Sequence, residues 1–339
     1  MSMYLKNCVA RRKKLIICVV LLLVSCVTIL QTDLSPDFYF LTWDTSENVS
    51  CHYSTGGDAL SAIDKRFNPS KSIHFHETSC RGQLNSRQAC AVESAAKTHP
   101  GWQINLFFLG PISTLGTGSF TALKKYDNIK FLRIHLVEYA KGTPIENMIS
   151  SGGLNRTRWR ISHTSDALRY LTLSKWGGIY LDLDVVVAKS LEGLAMNWAA
   201  RESSLTVSAG ALSFSNDEMG RLVAEAAIRD FKKNFRGDVW GHNGPGVITR
   251  ILQKICDDLA PLHLICVEVY GPELFYPVSW HDAADYFSDK ELIVGDPYVY
   301  HVWNKLTQNL TLKSNAAYSK LAKKYCPVVY DTYGENFGL

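Results

Sequence analysis

The sequence predicts an α/β fold: a mainly parallel sheet with helices on both faces. Two observations lead there. Short, almost wholly apolar runs alternate with stretches of helical periodicity, the pattern of strands buried on both sides by crossover helices. One such run, Ile179–Leu181, leads straight into Asp182-Leu183-Asp184. Paired acids at the carboxyl end of a buried strand mark the edge where α/β sheets bind ligands.

The elements follow in order. Ser72–Glu77 reads as the first strand and Leu84–Lys97 as a helix. Trp102–Leu109 is a strongly apolar strand ended by Gly110-Pro111, Phe120–Tyr126 a short helix, and Ile129–Leu136 a third strand. A helix opening at Asp166 carries Leu168, Leu171 and Leu173 and is stopped by Gly177-Gly178. Strand Ile179–Leu181 follows, and Val185–Val187 resumes the apolar run. Ser204–Phe214 is a strand with Ala209-Gly210 at its centre. Asn216–Lys232 is a helix capped by Asn216 or Asp217, and Val247–Cys256 another. Between them Trp240–Gly246 is a glycine-rich loop suited to close approach of a ligand. Phe275–Trp280 is expected on the core, and Tyr298–Asn304 alternates, with His301 and Trp303 on one side.

The chain has 339 residues, 46% apolar and 20% charged, enough for one large α/β domain or two closely joined lobes. Its net charge of +4 is local: residues 1–32 hold five basic residues and no acid, so the remainder is near neutral and nucleic acid is excluded as a partner. Leu15–Leu30 is an uncharged apolar run behind the basic cluster Arg11–Lys14. Ser25-Cys26-Val27 makes a poor cleavage site, so the reading is an uncleaved type II anchor with the remainder in a lumen. The resulting plan is a cytoplasmic tail at 1–14, an anchor at 15–32, a polar stem at 33–70, and then the domain. Asn48, Asn155 and Asn309 begin glycosylation triplets that agree with a lumenal location. Six cysteines lie beyond the anchor, an even number that suggests disulfides, and Cys80–Cys90 and Cys256–Cys266 are the first pairs expected.

Alternation in an extended chain places Asp182 and Asp184 on one side, where a divalent cation between them and an anionic ligand relieves their repulsion. Oxygen ligands suit Mg²⁺ or Mn²⁺, and an imidazole such as His301 favours Mn²⁺. His74 and His76 are minor catalytic candidates beside a strand end. Trp176, Trp240 and Trp303 offer faces for a sugar, with core packing as the alternative for each.

Taken in order, SDALRYLTLSKWGGIYLDLDVVV, WGHNGPGVITRIL, YHVWNK and YCP resemble the α1,4-glycosyltransferase family of globotriaosylceramide-synthase type, over about Ser72 to Cys326. The resemblance implies a GT-A fold, with a nucleotide-sugar region at 71–200 and an α1,4-glycosyltransferase region at 201–332. It implies a Golgi type II membrane enzyme using a UDP-sugar and Mn²⁺, with Mg²⁺ the lesser choice, and retaining configuration. The expected reaction moves galactose from UDP-galactose in α1,4 linkage onto a glycosphingolipid such as lactosylceramide. UDP-N-acetylgalactosamine is the alternative donor, and an inactive lumenal sugar-binding protein is the second alternative. A homo- or hetero-oligomer with other Golgi transferases fits the same picture.

Carried onto this chain, the family pattern makes Asp184 the direct metal ligand, with Asp182 reaching metal, ribose and sugar hydroxyls and His301 as the third ligand. Asp166, Arg169, Tyr180 and Gly210 fall on the donor. Gly241–Gly246 falls near the acceptor, with His242 a catalytic candidate beside the two aspartates. Leu183 departs from the threonine of related galactosyltransferases, and little effect is expected because it points away. No further carboxylate stands out as a nucleophile, so same-face attack is expected, with the leaving phosphate oxygen taking the acceptor proton.

Overall fold

In the computed structural model, residues 47–54, 58–63, 67, 71–112, 114–116, 118–259 and 267–338 are described, without the side chains of 256–259. The expected anchor lies outside them, and among the described residues no helix is long and apolar enough to cross a membrane.

Strand β1 (Ser72–Glu77) pairs in parallel with β2 (Gln103–Phe108), and β2 with β3 (Ile129–Arg133). On its other side β1 pairs in parallel with β4 (Gly178–Leu181). β6 (Trp198–Arg201), β7 (Val207–Phe214) and β8 (Glu268–Tyr270) complete a seven-stranded sheet of order β3-β2-β1-β4-β7-β6-β8. Only β7 runs against the others. β5 (Val185–Val187) and β9 (Val299–His301) form a separate antiparallel ribbon.

Both faces of the central strands β1, β4 and β7 are buried, polar residues included. Ile73, Phe75, Ile104, Leu106, Phe108, Ile179 and Leu181 pack on one side. That side is covered by α1 (Ser86–Thr98) and the C-terminal helices Ala317–Tyr325 and Pro327–Tyr333. Phe107, Tyr180, Leu212 and Phe214 point to the other side. It is covered by α2 (Arg160–Trp176), α3 (Glu218–Lys233) and α4 (Pro245–Leu259). His74 and His76 also point there and are core residues: His74 Nε2 lies 3.0 Å from the Gly177 carbonyl, and His76 Nε2 2.9 Å from Thr172 Oγ1.

Three local expectations change. Helix α2 begins at Arg160, not Asp166, because its cap comes from far away in the chain: Glu47 Oε2 accepts from the Ile161 N–H at 2.9 Å. It ends as expected at Gly177, where φ is +64° and a Cβ would stand 2.7 Å from the Asn216 nitrogen. The third strand stops at Arg133, since Leu136–Ala140 coils into a short helix. The run from Ser204 is the turn and second arm of a hairpin whose first arm, β6, was not anticipated.

The cysteine pairing also differs. Cys80 bonds Cys51, and Cys90 bonds Cys326, so the expected Cys80–Cys90 bridge does not exist. Cys80 sits in a loop at φ +60°, while Cys90 lies on the fully buried face of α1 toward the last helices. Proximity in sequence was the wrong guide. The Cys256–Cys266 pair lies outside the described residues. Part of the polar segment read as a stem is fastened to the domain by Cys51, by an Asp58–Arg133 pair at 2.6 Å and by a bridge from Ala62 to Arg133.

Candidate active site

The D-x-D residues lie in the turn between β4 and β5, not within a strand. The backbone of each aspartate is nonetheless held. The Asp182 N–H bonds the Gly210 carbonyl at 2.8 Å, and the Val302 N–H bonds the Asp184 carbonyl at 2.8 Å. The turn is therefore pinned between β7 and the end of β9. Trp303 follows with φ +54°, a left-handed conformation that bulky residues rarely adopt. It reverses the chain so that the Asn304 N–H donates to Asp184 Oδ2 at 3.0 Å and the Trp303 N–H to His301 Nδ1 at 3.3 Å.

His301 Nε2 lies 3.1 Å from Asp184 Oδ1 and 4.0 Å from Asp182 Oδ2. One ligand atom from each of the three side chains falls within 4.8 Å of the others, a set able to hold a metal ion. His301 is 7% exposed at its side chain, but Asp182 is 26% and Asp184 18%, so the cluster opens on the carboxylate side. Burial alone would lower the His301 pKa; the Asp184 charge and contacts with both carboxylates reverse this and bring it up to about 10. A site that draws a proton this strongly between two acids is built for positive charge. Two carboxylates and an imidazole are a donor set that suits Mn²⁺.

Behind Asp182 stands Arg169, buried on α2. Its Nη1 lies 3.2 Å from Asp182 Oδ1 and donates to the Ala209 carbonyl at 2.6 Å; its Nη2 reaches Asp166 Oδ1 at 3.0 Å and Ser165 Oγ at 3.1 Å. The guanidinium also lies 4.7 Å over the Tyr180 ring. Tyr180 Oη donates to Asp182 Oδ1 at 2.6 Å. Burial opposes the charge of Asp182, but Arg169, His301 and Tyr180 outweigh it and hold the carboxyl below its usual range. For Asp166 burial wins, and its pKa rises to about 7 despite Arg169.

Two glycines are fitted to these acids. A Cβ on Gly210 would stand 2.7 Å from Asp182 Oδ2 and 3.0 Å from Tyr276 Oη, and a Cβ on Gly244 would collide with the Asp166 carboxylate. The loop Trp240–Gly246 therefore meets the site through Gly244, whose carbonyl accepts from Tyr170 Oη at 2.8 Å.

The structure thus gathers Asp166, Arg169, Tyr180, Asp182, Asp184, Gly210 and His301. His242 is not brought into the cluster of Asp182, Asp184 and His301: its Nε2 lies 2.8 Å from the Asn234 carbonyl. Trp303 is packed away, with Nε1 donating to the Val278 carbonyl at 2.9 Å, and Trp240 Nε1 donates to Ser162 Oγ at 3.2 Å. Asn48 and Asn309 are exposed, whereas Asn155 is half-buried and its partner Thr157 buried.

Two residues were missed. Tyr276 is buried with its hydroxyl against Gly210 and lacks a well-formed hydrogen bond. Glu202 follows β6 and pairs with Thr206 across the hairpin turn, which puts it on the face of Ser208 and Gly210. Burial raises its pKa, opposed by the His301 charge and a hydrogen bond from Ser208. No local pattern marks Glu202, because its position depends on the hairpin register.

Comparison with known proteins agrees with this geometry. A glycosyltransferase sugar-binding region containing the DXD motif matches residues 85–205, and an α1,4-glycosyltransferase conserved region matches 216–333. Lactosylceramide 4-alpha-galactosyltransferase of Mus musculus is 34% identical over 275 residues, covering 76% of this chain and 75% of its own. The Homo sapiens enzyme of that name is 32% identical, covering 76% of each. Alpha-1,4-N-acetylglucosaminyltransferase of Homo sapiens is 27% identical over 276 residues, 77% of this chain and 80% of its own. Among solved structures, the galactosyltransferase LgtC is 18% identical with a TM-score of 0.42, covering 75% of this chain and 96% of its own. The protein is a sugar-transferring enzyme, and it belongs to the α1,4-glycosyltransferase family.

Proposed function

We propose that the protein is a retaining, GT-A-type galactosyltransferase of the Golgi membrane. It takes galactose from UDP-galactose and places it in α1,4 linkage on a glycosphingolipid such as lactosylceramide. The observation that carries this reading is the Asp182–Asp184–His301 cluster opening beside Arg169 and Asp166. Its support in the comparisons is 32–34% identity to lactosylceramide 4-alpha-galactosyltransferases, above the 27% to the N-acetylglucosaminyltransferase.

Asp184, Asp182 and His301 would hold Mn²⁺, which when bound supplies Lewis-acid stabilisation of a leaving diphosphate. The remaining work belongs to the chain. Tyr180 and Arg169 fix the Asp182 carboxylate, so it stays ionised and aimed at the opening. Asp166, with Arg169 beside it and Gly244 leaving it room, offers acceptor oxygens to sugar hydroxyls. Attack by the acceptor hydroxyl on the same face keeps the anomeric configuration, with its proton passing to the departing phosphate oxygen.

The test is a donor panel (UDP-galactose, UDP-N-acetylgalactosamine, UDP-N-acetylglucosamine) with lactosylceramide and Mn²⁺, scored by UDP release and product linkage. UDP-galactose is expected to dominate and Asp184→Asn to abolish transfer with the fold intact. Transfer by Asp184→Asn at the wild-type rate, or preference for an N-acetylated donor, overturns the proposal.

A further inference from the structure

Lys175 and Trp176 close α2 nine residues beyond Asp166, roughly 14 Å away at 1.5 Å per residue, and the site above uses neither. At that end the segment around Ala62 bridges onto Arg133 at the end of β3. Between this segment, the short helix Leu136–Ala140 and the end of α2 lies a cavity of about 370 Å³. Ile63 and Ile134 give it apolar walls, and Tyr139 and Trp176 an aromatic one. The indole is held on two sides: Nε1 donates to Tyr139 Oη at 3.1 Å, and Phe67 packs edge-on with ring centroids 5.1 Å apart.

The polar groups of the cavity are unbalanced. Lys175 Nζ stands 5.4 Å over the Tyr139 ring, and among the described residues no carboxylate pairs with it. Burial lowers its pKa. Glu138 borders the same cavity but turns to Lys141 at 3.7 Å. His135 Nδ1 is buried without a hydrogen-bond partner. Arg133 is already satisfied, paired with Asp58 at 2.6 Å and donating to the Phe108 and Ile134 carbonyls at 3.1 Å each. Among the described residues, one ammonium without an acid and one spare imidazole nitrogen therefore border a fixed flat wall, in a space of small-ligand size.

A half-desolvated cation without an acid is costly, and an anion beside it removes that cost. An aromatic wall adds a surface for the apolar face of a ring. We propose that this cavity binds a carboxylated sugar of the hexuronate or sialic acid class, with its carboxylate on Lys175 and its ring face against Trp176. The pocket lies apart from the D-x-D site and is independent of the donor proposed above. It gives the enzyme a second carbohydrate contact, one that selects acidic glycans.

The test titrates the purified full chain with N-acetylneuraminate and with glucuronate, using glucose and inorganic phosphate as controls. Saturation-transfer NMR reports the ligand. Both acids are expected to bind saturably, with glucose and phosphate at least about tenfold weaker. Lys175→Met should weaken the acids by about tenfold or more, and Lys175→Arg should keep binding, while UDP release stays at the wild-type rate in both. If thermal melts show Lys175→Met unfolded, Trp176→Phe replaces it and is expected to weaken the acids while leaving phosphate unchanged. No saturable binding of either acid overturns the proposal. So does phosphate binding as tightly as the acids, which means a bare anion site. Undiminished binding by the folded Lys175→Met or Trp176→Phe protein overturns it as well.

Discussion

Gly210→Ala is the sharpest test of how the cluster is built. The added Cβ would stand 2.7 Å from Asp182 Oδ2, and an ordinary van der Waals contact needs about 3.4 Å, so the carboxylate must retreat by roughly 0.7 Å. Asp182 cannot swing away freely, because Tyr180 holds its other oxygen at 2.6 Å and Arg169 lies at 3.2 Å. Tyr276 Oη, 3.0 Å from the same Cβ position, crowds the added methyl as well. The displacement is therefore transmitted to the ligand geometry. Shifts of this size in groups that orient metal ligands cost about 10- to 100-fold in cation affinity, or about 1.4–2.8 kcal/mol. Stability should change less, since one methyl is added at the rim of the site: a fall of a few degrees in Tm at most. Calorimetric titration of EDTA-treated protein with Mn²⁺ reads affinity, and a thermal melt reads the fold. Wild-type affinity in a folded Gly210→Ala protein would refute the claim that Gly210 exists to seat Asp182.

Other consequences follow from the same contacts. Gly244→Ala drives a methyl into the Asp166 carboxylate and should raise KM for the UDP-sugar several-fold while cation affinity is unchanged, as donor kinetics and Mn²⁺ titration will show. Glu202→Gln removes an acid on the face of Ser208 and Gly210 whose charge acts on His301; it should leave the melt within a few degrees but weaken Mn²⁺ binding a few-fold, measured calorimetrically. Cys90→Ser opens a bridge between residues 236 apart in sequence, and chain-entropy reasoning puts the loss near 5 kcal/mol, measurable by denaturant unfolding. In EDTA-treated protein, His301 has a folded pKa near 10 against an ordinary value of about 6.5. Its contribution is complete below about pH 6.5 and is lost as the pH climbs toward 10. Wild-type stability should therefore fall more steeply over that window than that of His301→Gln, compared by paired melts.

What the sequence revealed was what local pattern encodes. The segments at Ser72, Gln103 and Ile129 became strands in parallel register, because Ile73, Phe75, Ile104, Leu106, Phe108 and Ile129 give them a continuous apolar face even where Ser72, His74, Asn105 and Lys130 interrupt the run. Asp182, Asp184, Asp166 and Arg169 were legible because charge inside apolar periodicity needs a reason. Features made by distant parts of the chain were not legible. The start of α2 depends on Glu47, the Cys90–Cys326 bridge on how α1 meets the last helices, and the place of Glu202 on a hairpin register. His242 misled for the same reason: the glycine loop does reach the site, but through Gly244, while the histidine turns to Asn234.

Charge balance joins these residues into one argument. Within the ion-paired set, Asp166, Asp182 and Asp184 put three carboxylates against the guanidinium of Arg169, leaving two negative charges that a divalent cation cancels, while burial favours the neutral form of Glu202 beyond them. With no cation bound, protons take its place: His301 is held protonated to about pH 10, and Asp166 keeps its proton to about pH 7. Ligation through His301 Nε2 requires that proton to leave. At pH 8 Asp166 is already largely ionised, so Mn²⁺ binding should release about one proton per ion, all of it from His301. At pH 6 Asp166 adds its own share, and the release should rise toward two. Calorimetry in buffers of different ionisation enthalpy counts these protons, and His301→Gln should abolish the release at pH 8. Tight Mn²⁺ binding at pH 8 with no proton released would mean that His301 is not a ligand. The third member of the cluster would then serve only to hold Asp184 in place.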